Sequence, residues 1–192
     1  PSWRSRMSLI PFGFWAASGG GGGASSFELL ETTTLSTDTA SVTFSSLGAY
    51  SDYKHLQVRI VSRASASTYL GIETRLNGDT GANYAQHLLY GNGSSVNSEA
   101  YSSQTYGAPA QTIGEGESTV AWGAAVIDFL DFSSPSKTTT MRGLSGFATG
   151  TNPRVLLNSS LWNNTAAVTS IAFSLGTKDF VAGSRLSLMG IK

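Results

Sequence analysis

The sequence has no cysteine among its 192 residues, which excludes disulfide bonds and thiolate metal sites. Charged residues are also scarce. They make up 12% of the chain, against roughly 25% in an average soluble domain. The 12 basic and 12 acidic residues cancel to a formal net charge of zero. Because nucleic acids and anionic membranes attract clustered positive charge, this balance argues against both as partners.

Helical periodicity is missing as well, since no long stretch repeats its apolar residues every 3.6 positions. The polar positions are filled mainly by Ser, Thr, Asn and Gly. These residues suit turns and solvent-facing strand positions better than helix interiors. The composition therefore predicts an all-β protein. At 192 residues the chain is long enough for one sizeable domain with its own core.

Recognisable catalytic motifs are lacking too. The sequence contains neither a Gly-x-Ser-x-Gly elbow nor a His-Glu-x-x-His helix. His55 and His87 lie far apart in strand-like segments, so we interpret them as packing or hydrogen-bonding residues. Asp128 and Asp131 fall on opposite faces of an ideal strand, which argues against a paired acid and base. We expect no catalytic residue, no metal site and no cofactor.

The turn-like segment 77–81 (NGDTG) offers oxygen ligands for calcium. It lacks the spaced acidic residues of a calcium loop, so we interpret it as an ordinary β-turn.

A run of consecutive glycines interrupts the chain near its start: Gly19, Gly20, Gly21, Gly22 and Gly23. Glycine has the widest backbone freedom and loses the most entropy when it is fixed, so such a run holds no single conformation by itself. We interpret residues 19–26 as a flexible joint. It separates an extended N-terminal arm, residues 1–18, from a single domain, residues 27–192.

The arm combines two arginines with large apolar side chains. It superficially resembles a signal peptide, but Pro11 and Gly13 break its apolar stretch, so we expect it to be retained. It is also too short for a membrane-spanning helix, which needs about 20 apolar residues. Large aromatic residues dominate interface energetics, and we predict that the arm docks onto a neighbouring protein. The alternative is that it folds back on its own domain. The predicted anchor residues are Trp3, Arg4, Arg6, Leu9, Ile10, Phe12, Phe14 and Trp15.

The remainder of the chain alternates apolar and polar residues, as Leu56, Val58 and Ile60 do with their polar neighbours. This period of two is typical of half-buried strands. Segment 120–130 is denser in apolar residues and is predicted to be buried on both faces. About nine or ten short, evenly spaced strands predict a jelly-roll-like two-sheet β-sandwich. The clearest strand segments are 40–45, 54–63, 70–76, 83–90, 120–130, 138–144, 155–162, 168–175 and 184–191.

Residues 94–119 break this rhythm and contain Tyr101 and Tyr106. A connection of this length is unusual within a compact domain, and it is often functional or lies against a neighbour. A hairpin within the segment is the alternative.

Several segments after the glycines, in this order, resemble a family of bacteriophage virion structural proteins of the tail-fibre or receptor-binding type. They are 27–30 (FELL), 53–59 (YKHLQVR), 76–84 (LNGDTGANY), 87–93 (HLLYGNG), 125–132 (AVIDFLDF), 160–162 (SLW) with Ile171, and 180–191 (FVAGSRLSLMGI). The resemblance implies a β-sandwich body, often a homotrimer, that is attached through its N-terminus to a tail, baseplate or capsid.

The function that we expect is therefore a non-enzymatic virion protein, a short tail fibre or a host-recognition protein attached to the baseplate. Tyr101 and Tyr106 would then contact a glycan or protein of the host surface, or would lie in the trimer interface. A capsid decoration, cement or head-fibre protein is the alternative. A secreted carbohydrate-binding module is the weaker alternative. The expected partners are other phage structural proteins and further copies of this chain.

Overall fold

A computed structural model describes residues 26–148 and 152–192. The predicted docking arm with its anchor residues lies outside the described residues, and so do the five glycines of the joint. Their roles stay predictions.

The described residues form an all-β fold, with 58% strand and 2% helix, as the composition predicts. One short 3-10 helix, Leu47–Tyr50, is the helical element. The strands are β1 (Phe27–Thr34), β2 (Ser41–Phe44), β3 (His55–Ala64), β4 (Leu70–Leu76), β5 (Tyr84–Gly91), β6 (Val96–Gln104), β7 (Gly107–Gly114), β8 (Gly123–Leu130), β9 (Thr139–Phe147), β10 (Arg154–Trp162), β11 (Ile171–Ser174) and β12 (Arg185–Ile191).

The strands make two antiparallel sheets joined at one corner. The larger sheet has the order β1-β12-β3-β8-β9-β10-β5-β6, and the smaller has the order β2-β11-β4-β7. A short parallel pairing of Arg63 and Ala64 with Ile113 and Gly114 joins β3 to β7. From β2 onward the chain passes back and forth between the sheets, apart from the neighbours β5–β6 and β8–β9–β10. This order confirms the predicted jelly-roll-like sandwich.

The core fills the space between the two sheets. Phe44 and Phe173 of the smaller sheet and Phe129 of the larger sheet are fully buried. Phe173 meets each of the other two rings edge-on, with ring centroids 6.3 Å apart. Edge-to-face pairs add about 0.5–1.5 kcal/mol to the free energy gained by burial. The period of two places these side chains inward because alternate residues of a strand face the same side.

Two features differ from the prediction. Segment 120–130 is not buried on both faces, because Val120 is 83% exposed and β8 buries only alternate residues.

The predicted connection 94–119 contains β6 and β7. These two strands do not pair with each other. Instead β6 pairs with β5, through a turn in which Asn92 Oδ1 accepts hydrogen bonds from the backbone N–H groups of Ser94 and Ser95, while β7 crosses to the smaller sheet.

Before its short pairing with β3, the edge of β7 away from β4 lies against polar side chains of the larger sheet. The Ala108 N–H donates to Gln86 Oε1 at 2.8 Å, and the Gln111 N–H donates to Ser145 Oγ at 3.0 Å. Asn158 Nδ2 donates to the Ala108 carbonyl at 3.2 Å. A buried backbone group without a partner costs about 1–3 kcal/mol. The polar residues in this interior therefore replace the missing neighbouring strand.

Candidate functional site

A cleft of about 620 Å³ opens between the two sheets. Inward-facing residues of β5, β6 and β10 form one wall, and residues of β4, β7 and the turn after β11 form the other. The larger sheet has more strands than the smaller, so the inner side of its β5–β6 end can contribute to a cleft as well as to the core. Concave sites that combine apolar surface with a few convergent polar groups are the usual setting for small ligands.

Four of the seven tyrosines of the chain line this cleft: Tyr69, Tyr90, Tyr101 and Tyr106. Tyr101 and Tyr106, which the sequence placed on one long connection, lie on β6 and directly before β7. The structure therefore brings both predicted residues to the same site. Tyr101 is 43% exposed, so its ring is accessible to a ligand.

Arginine guanidinium groups lie over three of the four tyrosine rings. The Arg154 guanidinium lies 3.8 Å from the Tyr69 ring centroid and 4.4 Å from that of Tyr90. The Arg75 guanidinium lies 5.4 Å from the Tyr106 ring centroid. Such cation–π contacts are worth about 0.5–2 kcal/mol each. They fix the ring orientations before any ligand arrives.

Glu99 places a carboxylate beside the rings. Its Oε1 accepts a hydrogen bond from the Tyr90 hydroxyl at 3.0 Å, and its Oε2 accepts one from the Tyr101 hydroxyl. The bonds from Tyr101 and then Tyr90 lower the pKa of Glu99, and the same bonds raise the pKa of each tyrosine. At neutral pH the carboxyl is therefore ionised. A general acid of glycoside hydrolysis needs a raised pKa instead.

Glutamine side chains complete the walls: Gln86, Gln104 and Gln111. Gln111 Oε1 is buried and has no hydrogen-bond partner among the described residues. Buried acceptors without a partner are rare in proteins. Gln111 also lines the cleft. A rotation of its side-chain amide would bring this oxygen to a hydroxyl group of a ligand, so Gln111 is a candidate ligand contact.

Together these groups suit a saccharide. Aromatic faces stack on the apolar faces of sugar rings, and amide and carboxylate groups bond to sugar hydroxyls. Tyr69, Tyr90, Glu99, Gln111 and Arg154 were missed by the sequence analysis. Their segments are far apart in the chain, and only the sheet order brings them together.

The other residues considered as sites lie elsewhere. The Asp131 N–H donates to His55 Nδ1 at 3.0 Å, and Lys137 Nζ lies 2.8 Å from the Asp131 carboxylate and lowers its pKa. Asp128 pairs with Arg142 Nη2 at 2.8 Å. Both aspartates therefore belong to ion pairs at one end of the larger sheet.

Hydrogen bonds of Asp79 stabilise the turn at 77–81 and connect it to the end of β10. Asp79 Oδ2 accepts a hydrogen bond from Trp162 Nε1 at 2.7 Å, and Asp79 Oδ1 accepts one from the Gly81 N–H at 2.8 Å. Within the described residues, no group of three or more His, Cys, Asp or Glu side chains is placed to hold a metal ion. No helix in that part of the chain is long and apolar enough to cross a membrane.

Comparison with known proteins adds no relative. No protein-family model matches the chain, and no curated protein matches it.

Proposed function

We propose that this chain is a non-enzymatic structural protein of a bacteriophage virion, a short tail fibre or a host-recognition protein attached to the baseplate. Its tyrosine-lined cleft binds a glycan of the host surface. The arm, residues 1–18, attaches the protein to the particle, and the jelly-roll-like domain presents the cleft to the host. Further copies of this chain and other virion proteins are its partners.

One observation carries the host-recognition part of the proposal. Tyr101 and Tyr106, together with Tyr69 and Tyr90, line a single cleft that also contains the unpartnered acceptor of Gln111. Accessible ring surface such as that of Tyr101, which is 43% exposed, and an unsatisfied acceptor both gain from a ligand. The formal net charge of zero favours a neutral saccharide over a strongly charged one.

Binding of the purified chain to host cells tests this function. We expect the labelled protein to bind at a saturable number of sites, and Tyr101→Ala to weaken binding at least about tenfold, which corresponds to about 1.4 kcal/mol. Tyr101→Phe keeps the ring and should retain most of the binding. Val120→Ala, at an exposed position outside the cleft lining, is the control. Equal binding by the wild-type chain and Tyr101→Ala would rule out the cleft as the receptor site.

The second candidate is a capsid decoration, cement or head-fibre protein. The exposed aliphatic residues on the outer side of the larger sheet favour it, since Leu89, Leu144 and Leu157 are each about half exposed and suit a packed assembly. Antibody labelling of intact particles separates the two candidates. Label at the tail or baseplate supports the host-recognition protein, whereas label over the capsid alone supports the decoration protein. A secreted carbohydrate-binding module would give no label on particles.

A further inference from the structure

The outward-facing side of the larger sheet carries an unbroken aliphatic row. Strand register places Leu89 of β5 beside Leu157 of β10, Leu157 beside Leu144 of β9, and Leu144 beside Val126 of β8. The three leucines are 48%, 51% and 55% exposed. Period-two alternation would ordinarily place polar residues on this side of a sheet that faces water.

A second aliphatic row lies one step further along the strands. Val155 of β10 is 57% exposed and Val61 of β3 is 37% exposed. Gly146 and Ala124 lie between them in register. We call the two rows the outer aliphatic face; its members are Val61, Leu89, Ala124, Val126, Leu144, Val155 and Leu157. Single exposed apolar residues are normal, but a contiguous patch marks an interaction site.

We propose that the outer aliphatic face is an interface between copies of this chain. It lies on the opposite side of the larger sheet from the saccharide cleft, so the two surfaces can be occupied together. Association through this face does not depend on the ligand of the cleft.

The shape of the face suits a second copy of itself. Leu144 and Leu157 lie between two shallow grooves. One groove, of about 500 Å³, is lined by residues that include Leu89 and Leu157. The other, of about 360 Å³, is lined by residues that include Val126, Leu144 and Val155. Because each copy has both the leucine ridge and the grooves, the ridge of one copy can pack into a groove of the next.

The charges around the face also suit a second copy. The aliphatic rows contain no charged side chain from β5 to β8. At their border Arg142 is already paired with Asp128, with Nη2 and Oδ2 2.8 Å apart. Arg59, at the end of the first row, donates to Gln57 Oε1 and lies over the Phe27 ring. Two copies can therefore bury their leucines without burying an unpaired charge, which would be costly.

The face can form the centre of a stable contact. Its members lie on five adjacent strands, β5 to β3 in sheet order, which span roughly 19 Å at a spacing of about 4.8 Å. Each partner contributes roughly 800 Å² to a standard interface. The aliphatic face would supply the apolar core of that area and the polar residues around it the rim.

The test is the mass of the full chain in solution, measured by sedimentation equilibrium over a range of concentrations. We expect an oligomer, and we expect Leu144→Glu with Leu157→Glu to weaken association at least about a hundredfold, because charges would have to be buried in the contact. Both positions are half exposed, so the variant should keep its fold, which circular dichroism checks. Val120→Glu, an exposed aliphatic position outside the face, is the matched control and should leave association unchanged.

The absence of cysteine allows a second test. A single Leu157→Cys variant should be cross-linked between copies by a short bismaleimide, whereas Val120→Cys should remain uncross-linked. A monomer at every concentration, or an oligomer insensitive to both glutamates, would overturn the proposal.

The N-terminal arm of the same chain is the competing occupant of the face. A chain without residues 1–26 separates the two. If the truncated chain still associates and the two glutamates still disrupt its association, the face binds a second copy. If the truncated chain is monomeric, the arm mediates the contact and the proposal fails.

Discussion

The side chain of Asp79 stabilises the turn before β5 through the hydrogen bonds that it accepts. Asp79 accepts hydrogen bonds from Trp162 Nε1, from Asn83 Nδ2 and from the Gly81 N–H. Trp162 is 1% exposed, so its N–H would otherwise be buried without a partner. These hydrogen bonds connect the end of β10 to the turn that precedes β5. Residues 86, 88 and 90 of β5 line the cleft.

Acid should weaken the hydrogen bonds that Asp79 accepts. The hydrogen bonds from Trp162, Asn83 and Gly81 lower the pKa of Asp79. A carboxyl whose pKa is lowered in the folded state stabilises the fold. This stability is fully present above the pKa of the unfolded state, about 3.9. It is lost as the pH falls through the pKa of the folded state. As the pH drops below about 4, we expect the urea concentration at the unfolding midpoint of the wild-type chain to decrease. The decrease should be smaller for Asp79→Ala over the same pH range. Parallel pH profiles for the two proteins would contradict this.

Gln111 should separate binding from stability. Its Oε1 is buried without a partner among the described residues, so Gln111→Met removes an unsatisfied acceptor while keeping a similar side-chain length. We expect an unchanged or slightly raised free energy of unfolding, within about 1 kcal/mol, and weaker saccharide binding. Reduced stability together with unchanged binding would show that Gln111 has a structural role.

At the scale of the strands, β7 is the element on which the cleft depends. It pairs with β4 on one side, and on the other it pairs briefly with β3 and otherwise lies against side chains of the larger sheet. The approach is close at Gly143 of β9, where a Cβ atom would lie 1.8 Å from the Pro109 carbonyl oxygen. A side chain at this position would push β7 away from the larger sheet.

Gly143→Ala should therefore destabilise the fold by about 1–3 kcal/mol, the usual cost of overpacking. Gly48→Ala is the matched control, because a Cβ atom there meets nothing within 4 Å. The comparison is made by urea unfolding of both variants and the wild-type chain. Equal stabilities for the two variants would contradict the close packing of β7.

The strands that the sequence predicts well are those with one buried and one exposed face. For β3 and β12 the alternation is clear, because inward residues such as Leu56 and Leu188 are apolar. Strand β6 was missed because nearly all its residues are polar or exposed, as expected of an edge strand. Strand β7 was missed because its small residues, with Pro109, resemble a loop.

The cleft could be predicted only in part, for a related reason. Tyr101 and Tyr106 stood out because they interrupt a segment without clear periodicity. Tyr90 and Arg154 lie in strands whose pattern accounts for them as ordinary strand residues. Their contact depends on the pairing of β10 with β5, and strand order is not visible in local periodicity.

At the scale of the whole molecule, the chain combines a predicted docking arm, a sandwich domain, a cleft and an aliphatic outer face. Removing residues 1–18 should leave a folded domain, since the described residues contain a hydrophobic core of their own. We expect the truncated protein to be absent from purified particles, as judged by immunoblotting, because the anchor residues are lost. Incorporation at the wild-type level would contradict a docking role for the arm.

The most direct measurement of the central claim is the binding of the purified full chain to an array of bacterial surface glycans. We predict binding to one or more neutral saccharides, at least about tenfold weaker binding by Tyr101→Ala and Tyr106→Ala, and near-normal binding by Tyr101→Phe. Circular dichroism of each variant controls for folding. Saccharide binding that is equally strong in the wild-type chain and both alanine variants would contradict the claim, as would the absence of any glycan binding.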